Sequence, residues 1–123
     1  MWAAAVAHHP GRGLTALTLL DLYGCSGVTD AGLRWLRDLP ALTALNLTHC
    51  RSVTNVGLQE LRDLTALTWL SLAFCSNVTD VGLEELTSLT SLTQLDLPHC
   101  STTKAGRDAL KAAIPGITIF GGR

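Results

Sequence analysis

Leucines recur along this chain every 25 residues, and their spacing changes partway through each copy. In the first copy, Leu20 and Leu22 stand two positions apart, which is the alternation of a β-strand. Further on, Leu33, Leu36 and Leu39 stand three apart, which suits one face of a helix. Each copy is therefore predicted to be a strand, a turn and a helix.

Four copies, which we number units 1 to 4, can be aligned on a cysteine in each. The aligned leucine columns are Leu17, Leu42, Leu67 and Leu92; Leu20, Leu45, Leu70 and Leu95; and Leu22, Leu47, Leu72 and Leu97. A single unit has an apolar side with nothing to cover it, whereas stacked units bury one another's leucines, so at least about three are needed. We predict one repeat domain over residues 14–123, with residues 1–13 as an N-terminal capping segment.

A helix-start signal follows the turn of the first three units. It consists of Thr29-Asp30, Thr54-Asn55 and Thr79-Asp80, whose side chains offer capping oxygens. A glycine occupies the first helical turn of every unit, at Gly32, Gly57, Gly82 and Gly106. Glycine is less favourable than alanine in a helix by ~1 kcal/mol. We therefore expect the missing side chain to let each helix lie close to the neighbouring coil.

The two ends depart from the repeat. In unit 4, Lys104 replaces the capping Asp and Arg107 replaces a leucine, the polar character that a terminal repeat requires. The following segment, Ile117–Phe120, predicts a fifth, edge strand, and its unpaired edge predicts a homodimer. At the other end, "MWAAAVAHH" is predicted to form two helical turns, with Trp2 and Val6 covering the leucines of unit 1.

These residues resemble the leucine-rich repeat family, specifically its cysteine-containing subtype, known from the substrate-binding halves of F-box proteins in ubiquitin ligases. The resemblance extends over residues 14–120 and implies an α/β solenoid: a short right-handed arc with a parallel sheet on its concave face and helices on its convex face. It also implies that Cys25, Cys50, Cys75 and Cys100 form a buried ladder, each S–H bonding loop backbone in the adjacent turn. No F-box segment precedes the repeats, so a direct link to a ligase adaptor is not expected.

Composition narrows the class of function. The 123 residues include nine basic and ten acidic ones, for a net charge of −1. Nucleic-acid binding needs clustered Lys and Arg, which this balance does not favour. No window approaches the ~18 apolar residues of a membrane span, and the opening "MWAAAVA" is short for a secretory signal. We therefore expect a cytoplasmic protein that binds neither nucleic acid nor a membrane.

The cysteines and histidines are not expected to hold a metal. Neighbouring parallel strands lie ~4.8 Å apart, so the outer cysteines stand ~14 Å apart, and His49 stands ~10 Å from His99. The sequence contains no C-x-x-C pair, G-x-S-x-G, phosphate-binding glycine loop or H-E-x-x-H. We expect no enzymatic activity and no cofactor. Adjacent cysteines would come within disulfide range, but a cytosolic setting keeps buried thiols reduced.

Strand alternation places the residues between the leucines on the concave face, in four lanes. Lanes 1 to 4 are Leu19, Ala44, Trp69, Gln94; Asp21, Asn46, Ser71, Asp96; Tyr23, Thr48, Ala73, Pro98; and Gly24, His49, Phe74, His99. The predicted partner-binding residues are Trp69, Phe74, Tyr23, His49, Asp21, Asn46, Ser71, Gln94, Asp96 and His99. Trp69 and Phe74 are the expected anchors, because aromatic residues are enriched at interfaces. The alternative for Trp69 is that it packs against its strand neighbours.

The predicted function is a non-catalytic interaction module that binds a protein or peptide through the concave face and the rim turns after each cysteine. The resemblance adds substrate recognition or regulatory adaptation as a role. Four short strands project only roughly 300 Å², whereas a standard interface takes ~800 Å² from each partner. The rim must therefore contribute. Otherwise the protein is a structural unit that self-associates through its ends, or one part of a longer array.

Overall fold

The structure is a computed structural model that describes residues 5–7 and 16–121. Its centre is a sheet of six three-residue strands: β1 Ala5–Ala7, β2 Leu19–Asp21, β3 Ala44–Asn46, β4 Trp69–Ser71, β5 Gln94–Asp96 and β6 Thr118–Phe120. Strands β2 to β6 are parallel, adjacent in chain order and aligned unit on unit, whereas β1 pairs antiparallel with β2. The predicted repeat with a parallel sheet is confirmed, and β6 lies where the fifth strand was expected.

The helical prediction for the N-terminus is wrong at residues 5–7. These residues form β1, with Val6 opposite Leu20. Strand β2 begins the parallel ladder, so without β1 one row of its backbone N–H and C=O groups would lack strand partners. An extended segment can hydrogen bond to such a row, and a helix cannot, because its own backbone groups are already paired. Trp2 lies outside the described residues.

The leucine columns form the core. No leucine of the three strand columns is more than 4% exposed, and all of them belong to one cluster that runs from Leu17 to Ile117. Burying a leucine side chain contributes about 1.5–3 kcal/mol. The cluster is continuous across the units, so a unit removed from the stack would lose part of this burial.

The helical layer is shorter and tighter in units 1 to 3 than a regular α-helix. It comprises the 3₁₀ helix Gly32–Asp38, α1 Asn55–Leu58 with the 3₁₀ turn Gln59–Leu61, and α2 Asp80–Glu84. A 3₁₀ helix has 3.0 residues per turn, so residues three apart lie on one face. Leu33 and Leu36, at that spacing, are both fully buried. The three-residue leucine spacing thus favours 3₁₀ geometry.

Unit 4 carries the only full α-helix of the described chain, α3 Lys104–Ala113. Its inward residues are Arg107, Leu110 and Ile114, spaced three and then four apart, which is α-helical periodicity. Arg107 is 8% exposed in the leucine column, and its Nη1 donates to the Thr102 carbonyl and hydroxyl at 3.0 and 3.1 Å. The Nη1 group of the buried guanidinium is therefore hydrogen bonded.

A polar ladder joins consecutive units at the helix starts. The Thr54 N–H and hydroxyl donate to Asp30 at 2.8 and 2.5 Å, and Thr103 donates to Asp80 at the same distances. Between them, Asn55 accepts from the N–H of the next unit's threonine and donates to its hydroxyl. The capping threonines of units 2 to 4, Thr54, Thr79 and Thr103, are thus held by the Asp or Asn of the preceding unit. The bonds from Thr103 lower the pKa of Asp80.

The glycines at 57, 82 and 106 leave space for the Asp and Asn side chains of this ladder. A Cβ added at Gly57 would lie 2.3 Å from Asp30 Oδ1, and one at Gly106 would lie 2.1 Å from Asp80 Oδ1. These separations are far inside van der Waals contact, so any side chain would displace the carboxylate. The sequence predicted that each helix lies close to the neighbouring coil. The group that lies close to each glycine is the Asp or Asn side chain of the preceding unit.

Gly82→Ala should destabilise the protein by about 1–3 kcal/mol, because the new Cβ would lie 2.4 Å from Asn55 Oδ1 and 2.8 Å from Leu58 Cδ1. Helix propensity alone predicts the opposite sign, a gain of ~1 kcal/mol. Urea unfolding measures the difference. Gly116→Ala is the matched control, because nothing lies within 4 Å of its added Cβ. A Gly82→Ala protein as stable as the wild type would contradict the ladder as the reason for the glycines.

Candidate partner-binding face

The strand register sets the side chains of lanes 1 and 2 side by side and extends each lane by one residue. Thr118 continues lane 1 beside Gln94, and Phe120 continues lane 2 beside Asp96. Phe120 is 50% exposed and was missed as a site residue from the sequence. The signal was present, because "TIF" at 118–120 aligns with "QLD" at 94–96.

The predicted binding residues differ in how much surface they offer. Tyr23 and Phe74 are 60% and 38% exposed, whereas Trp69 is half-buried. Ser71 is only 3% exposed, so its prediction as a surface contact is wrong. The reason is its neighbour, since the Thr48 hydroxyl lies 2.7 Å from Ser71 Oγ and covers it.

Four rings form a continuous column along the rim, at the carboxyl ends of the strands. Tyr23 meets His49 edge to face, with ring centroids 5.5 Å apart. His49 and Phe74 stack at 4.2 Å, and Phe74 and His99 stack at 4.4 Å, with interplanar angles of 12° and 16°. We call this set, Tyr23, His49, Phe74 and His99, the ring column. It brings together four residues that the sequence placed in two lanes.

Three members of the ring column have a left-handed backbone. The φ angles of His49, Phe74 and His99 are 61°, 62° and 60°, and Gly24 has the corresponding conformation in unit 1 with φ 69°. A non-glycine residue adopts this conformation at a cost of ~1–2 kcal/mol. Aromatic stacking offsets part of that cost, at ~0.5–1.5 kcal/mol per pair. Backbone conformation alone would favour glycine at all four positions.

Lane 2 has a structural role that the sequence analysis did not recognise. Asp21 Oδ1 accepts the N–H of Tyr23 at 2.9 Å, and Asn46 Oδ1 accepts the N–H of Thr48 at 3.0 Å. Each side chain thereby holds the turn two residues ahead of it, a common use of Asp and Asn. Asp21 and Asn46 are thus partly occupied by their own turns.

Three of the four cysteines hydrogen bond to the preceding unit. The thiols of Cys50, Cys75 and Cys100 donate to the carbonyls of the leucines 28 residues earlier, at 3.0, 3.0 and 2.9 Å. Cys25 follows no earlier unit, and its thiol donates to the Tyr23 carbonyl at 3.9 Å. All four are free thiols. Burial raises the pKa of Cys50 to about 11, of Cys75 to about 12 and of Cys100 to about 11.

The convex face carries ion pairs between units. Arg37 Nη2 lies 2.5 Å from Glu60 Oε1, and Arg62 pairs in the same way with Glu85. Exposed pairs of this kind contribute roughly 0–1 kcal/mol each. These charges are therefore already matched within the chain.

The described residues contain neither a group of metal ligands nor a membrane-spanning helix. Across residues 5–7 and 16–121, no three His, Cys, Asp or Glu side chains lie close enough together to hold a metal ion. No helix in the same residues is long and apolar enough to cross a membrane.

Comparison with known proteins agrees with this geometry. Residues 39–61 match a family model described as "Leucine Rich repeat". A solved structure of Chaetomium Mex67:Mtr2 subunits aligns over 85% of this chain and 80% of that chain, with a TM-score of 0.65 and 17% identity. The fold is a leucine-rich repeat solenoid. Proteins of this family are generally non-catalytic protein-interaction modules.

A second solved structure is more distant. The crystal structure of internalin C2 from Listeria monocytogenes aligns over 86% of this chain and 71% of that chain, at 15% identity and a TM-score of 0.43. No curated protein sequence matches the chain. The fold comparison therefore rests on the Chaetomium structure.

The raised cysteine pKa values predict that stability falls at alkaline pH. Their contribution is fully present below the ordinary thiol pKa of ~8.5. It is lost as pH rises through the folded values of about 11 to 12, because the unfolded chain releases these protons first. Urea unfolding at pH 7.5 and pH 10 should show a steeper loss for the wild type than for Cys75→Ala. Equal slopes would contradict a buried, protonated Cys75.

Proposed function

We propose that this leucine-rich repeat solenoid binds a protein or peptide through its concave face and the adjoining ring column, without catalysing a reaction. The observation that carries the proposal is the ring column itself. His49, Phe74 and His99 occupy left-handed positions that favour glycine, and the rings remain open to solvent on one side. Substrate recognition or regulatory adaptation, as in the cysteine-containing subtype, is the finer role that we propose.

We infer that folding depends little on these rings. The core is complete below them, since the leucine on each strand is buried whichever residue follows it at the rim. Strained, non-glycine backbone conformations cluster at binding sites, where the side chain is retained for its contacts. Exposed aromatic residues are also the side chains that most often anchor interfaces. Both arguments favour a binding role over a folding role for Phe74.

The ring column also enlarges the available surface. The rings stand at the carboxyl ends of strands whose lane 1 and lane 2 side chains include Trp69, so face and rim are contiguous. A partner lying across both can contact more than the roughly 300 Å² of four short strands. This brings the binding surface closer to the ~800 Å² per partner of a standard interface.

Phe74→Gly should weaken binding about thirtyfold, the usual effect of removing an interface anchor, while changing stability little. Stability is nearly kept because relief of the left-handed backbone, ~1–2 kcal/mol, offsets the two lost ring stacks, ~0.5–1.5 kcal/mol each. Partners are captured from a lysate on the immobilised protein and identified. Their affinities for the variants are then measured by calorimetry.

The controls separate packing from binding. Glu84→Ala, on the exposed convex side, should alter neither affinity nor melting temperature. Trp69→Ala should weaken binding as well, with some loss of stability because Trp69 is half-buried. Unchanged affinity in Phe74→Gly would sink the proposal, and unfolding of Phe74→Gly would assign the ring to folding instead.

A second candidate function is self-assembly through the end of the sheet. Strand β6 is one of the two outermost strands of the described sheet, and its residues Thr118, Ile119 and Phe120 carry no charge. Natural proteins usually protect such an edge with Lys or proline. A second copy could pair with β6 and extend the sheet.

Thr118→Lys should abolish any concentration-dependent dimer, because a charged residue on the edge disfavours strand pairing. The side chain of Thr118 is exposed, whereas Ile119 packs against the core, so a lysine at 118 tests the edge without disturbing the fold. Sedimentation equilibrium measures the association. Thr90→Lys, in an exposed turn, is the control for the added charge. A wild-type protein that stays monomeric at all concentrations would refute this candidate.

A further inference from the structure

Asp96 differs from Asp21 and Asn46 in lane 2 because its carboxylate cannot accept a hydrogen bond from its own turn. Asp21 and Asn46 each accept an N–H from the residue two positions ahead. At Asp96 that residue is Pro98, which has no N–H to donate. Asp96 Oδ1 instead accepts from Gln94 Nε2 at 3.2 Å. The carboxylate is therefore oriented by Gln94 and available on the concave face.

Each strand next to Asp96 carries an aromatic residue near it. Phe120 pairs directly with Asp96 across the parallel strands β5 and β6, which lie ~4.8 Å apart. On β4, Trp69 stands one strand over and two residues along from Asp96. At ~4.8 Å between strands and ~3.3 Å per residue, that diagonal is ~8 Å, which a tryptophan side chain can span. The residue directly opposite on β4 is the buried Ser71, which is too short to stand between them.

The sheet supplies no cation to neutralise Asp96. Among the described strands the charged residues are Asp21 and Asp96, both acidic. The described basic residues lie in helical segments and turns: Arg34, Arg37, Arg51, Arg62, Lys104, Arg107 and Lys111. A carboxylate with an aromatic residue on each neighbouring strand, and no basic residue on the described strands, is complementary to a positively charged group.

We propose that Asp96, Trp69 and Phe120 form a docking site for an arginine side chain of the protein partner. This rests on the proposed function and names the chemistry of one partner residue. The guanidinium is planar and stacks on aromatic faces while hydrogen bonding to a carboxylate. A lysine ammonium matches the charge but lacks the plane that the two rings would contact. Phe120 and Trp69 thus favour arginine over lysine, and Asp96 favours a positively charged side chain over a neutral one.

An NMR titration of the full chain tests the site with a defined probe. The probe is the peptide acetyl-Gly-Arg-Gly-amide, and the comparison peptides carry citrulline, which is neutral and nearly isosteric, or lysine. We expect saturable shifts at the amides of residues 94–96 and 118–120 and at the Trp69 indole. Arginine should bind about tenfold more tightly than citrulline, as expected for a charge-assisted hydrogen bond.

Matched variants localise the effect. Asp96→Asn should lose about tenfold in affinity for the arginine peptide and keep its fold, because its amide oxygen can still accept from Gln94. Asp63→Asn removes the same charge from an exposed turn after Gln59–Leu61, away from the strands. That control should bind as the wild type does. Equal binding of citrulline or lysine, or unchanged affinity in Asp96→Asn, overturns the proposal.

Failure of the site is distinguishable from failure of the proposed function. If a captured partner needs Phe74 but binds Asp96→Asn normally, the binding function stands and the arginine site is overturned. If the arginine peptide binds at Asp96 while no partner depends on Trp69 or Phe74, the site is supported and the proposed function fails.

Discussion

The contact between consecutive units at the helix starts is the constraint on which the rest of the structure depends. A carboxylate or amide of one unit bonds the N-capping threonine of the next, and it occupies the space where a Cβ would be. This contact joins the caps of successive helical segments, so the Thr, Asp or Asn, and Gly columns act together. The leucine columns then supply the bulk of the free energy through burial.

What the stacking leaves free is smaller than the four lanes suggest. Lane 2 side chains hold turns, and Ser71 is covered by Thr48. The ring column stacks on itself, yet it keeps exposed surface at positions where glycine would satisfy the backbone. Surface position therefore does not identify a binding residue by itself. The more informative observation is a side chain that its own turn or unit does not need.

The repeat fold could be predicted because all four units have the same leucine spacing. Units with the same spacing can stack in register and bury one another's leucines. Three features could not be predicted. The Ala-rich start favours a helix locally, but residues 5–7 pair with β2, which overrides propensity. The left-handed backbone at Phe74 is set by the turn geometry, and nothing in a phenylalanine predicts it. The burial of Ser71 depends on a hydroxyl 23 residues away. By contrast, the freedom of Asp96 could have been foreseen from Pro98.

The departures from the repeat fall into two physical kinds. Arg107 replaces a core leucine, and its Nη1 hydrogen bonds to Thr102, so this change places a polar group in the column without leaving that nitrogen unpaired. Pro98 and Phe120 do the reverse, since one withdraws an N–H from Asp96 and the other places an exposed ring beside it. The backbone carbonyls of Pro98 and Phe120 still accept from the N–H groups of Phe74 and Leu97, and these bonds need neither side chain. Both occur at the β5–β6 end of the described sheet. Because Asp96 there accepts from Gln94 and not from its own turn, this end of the concave face is where a partner can use a carboxylate that the turns do not need.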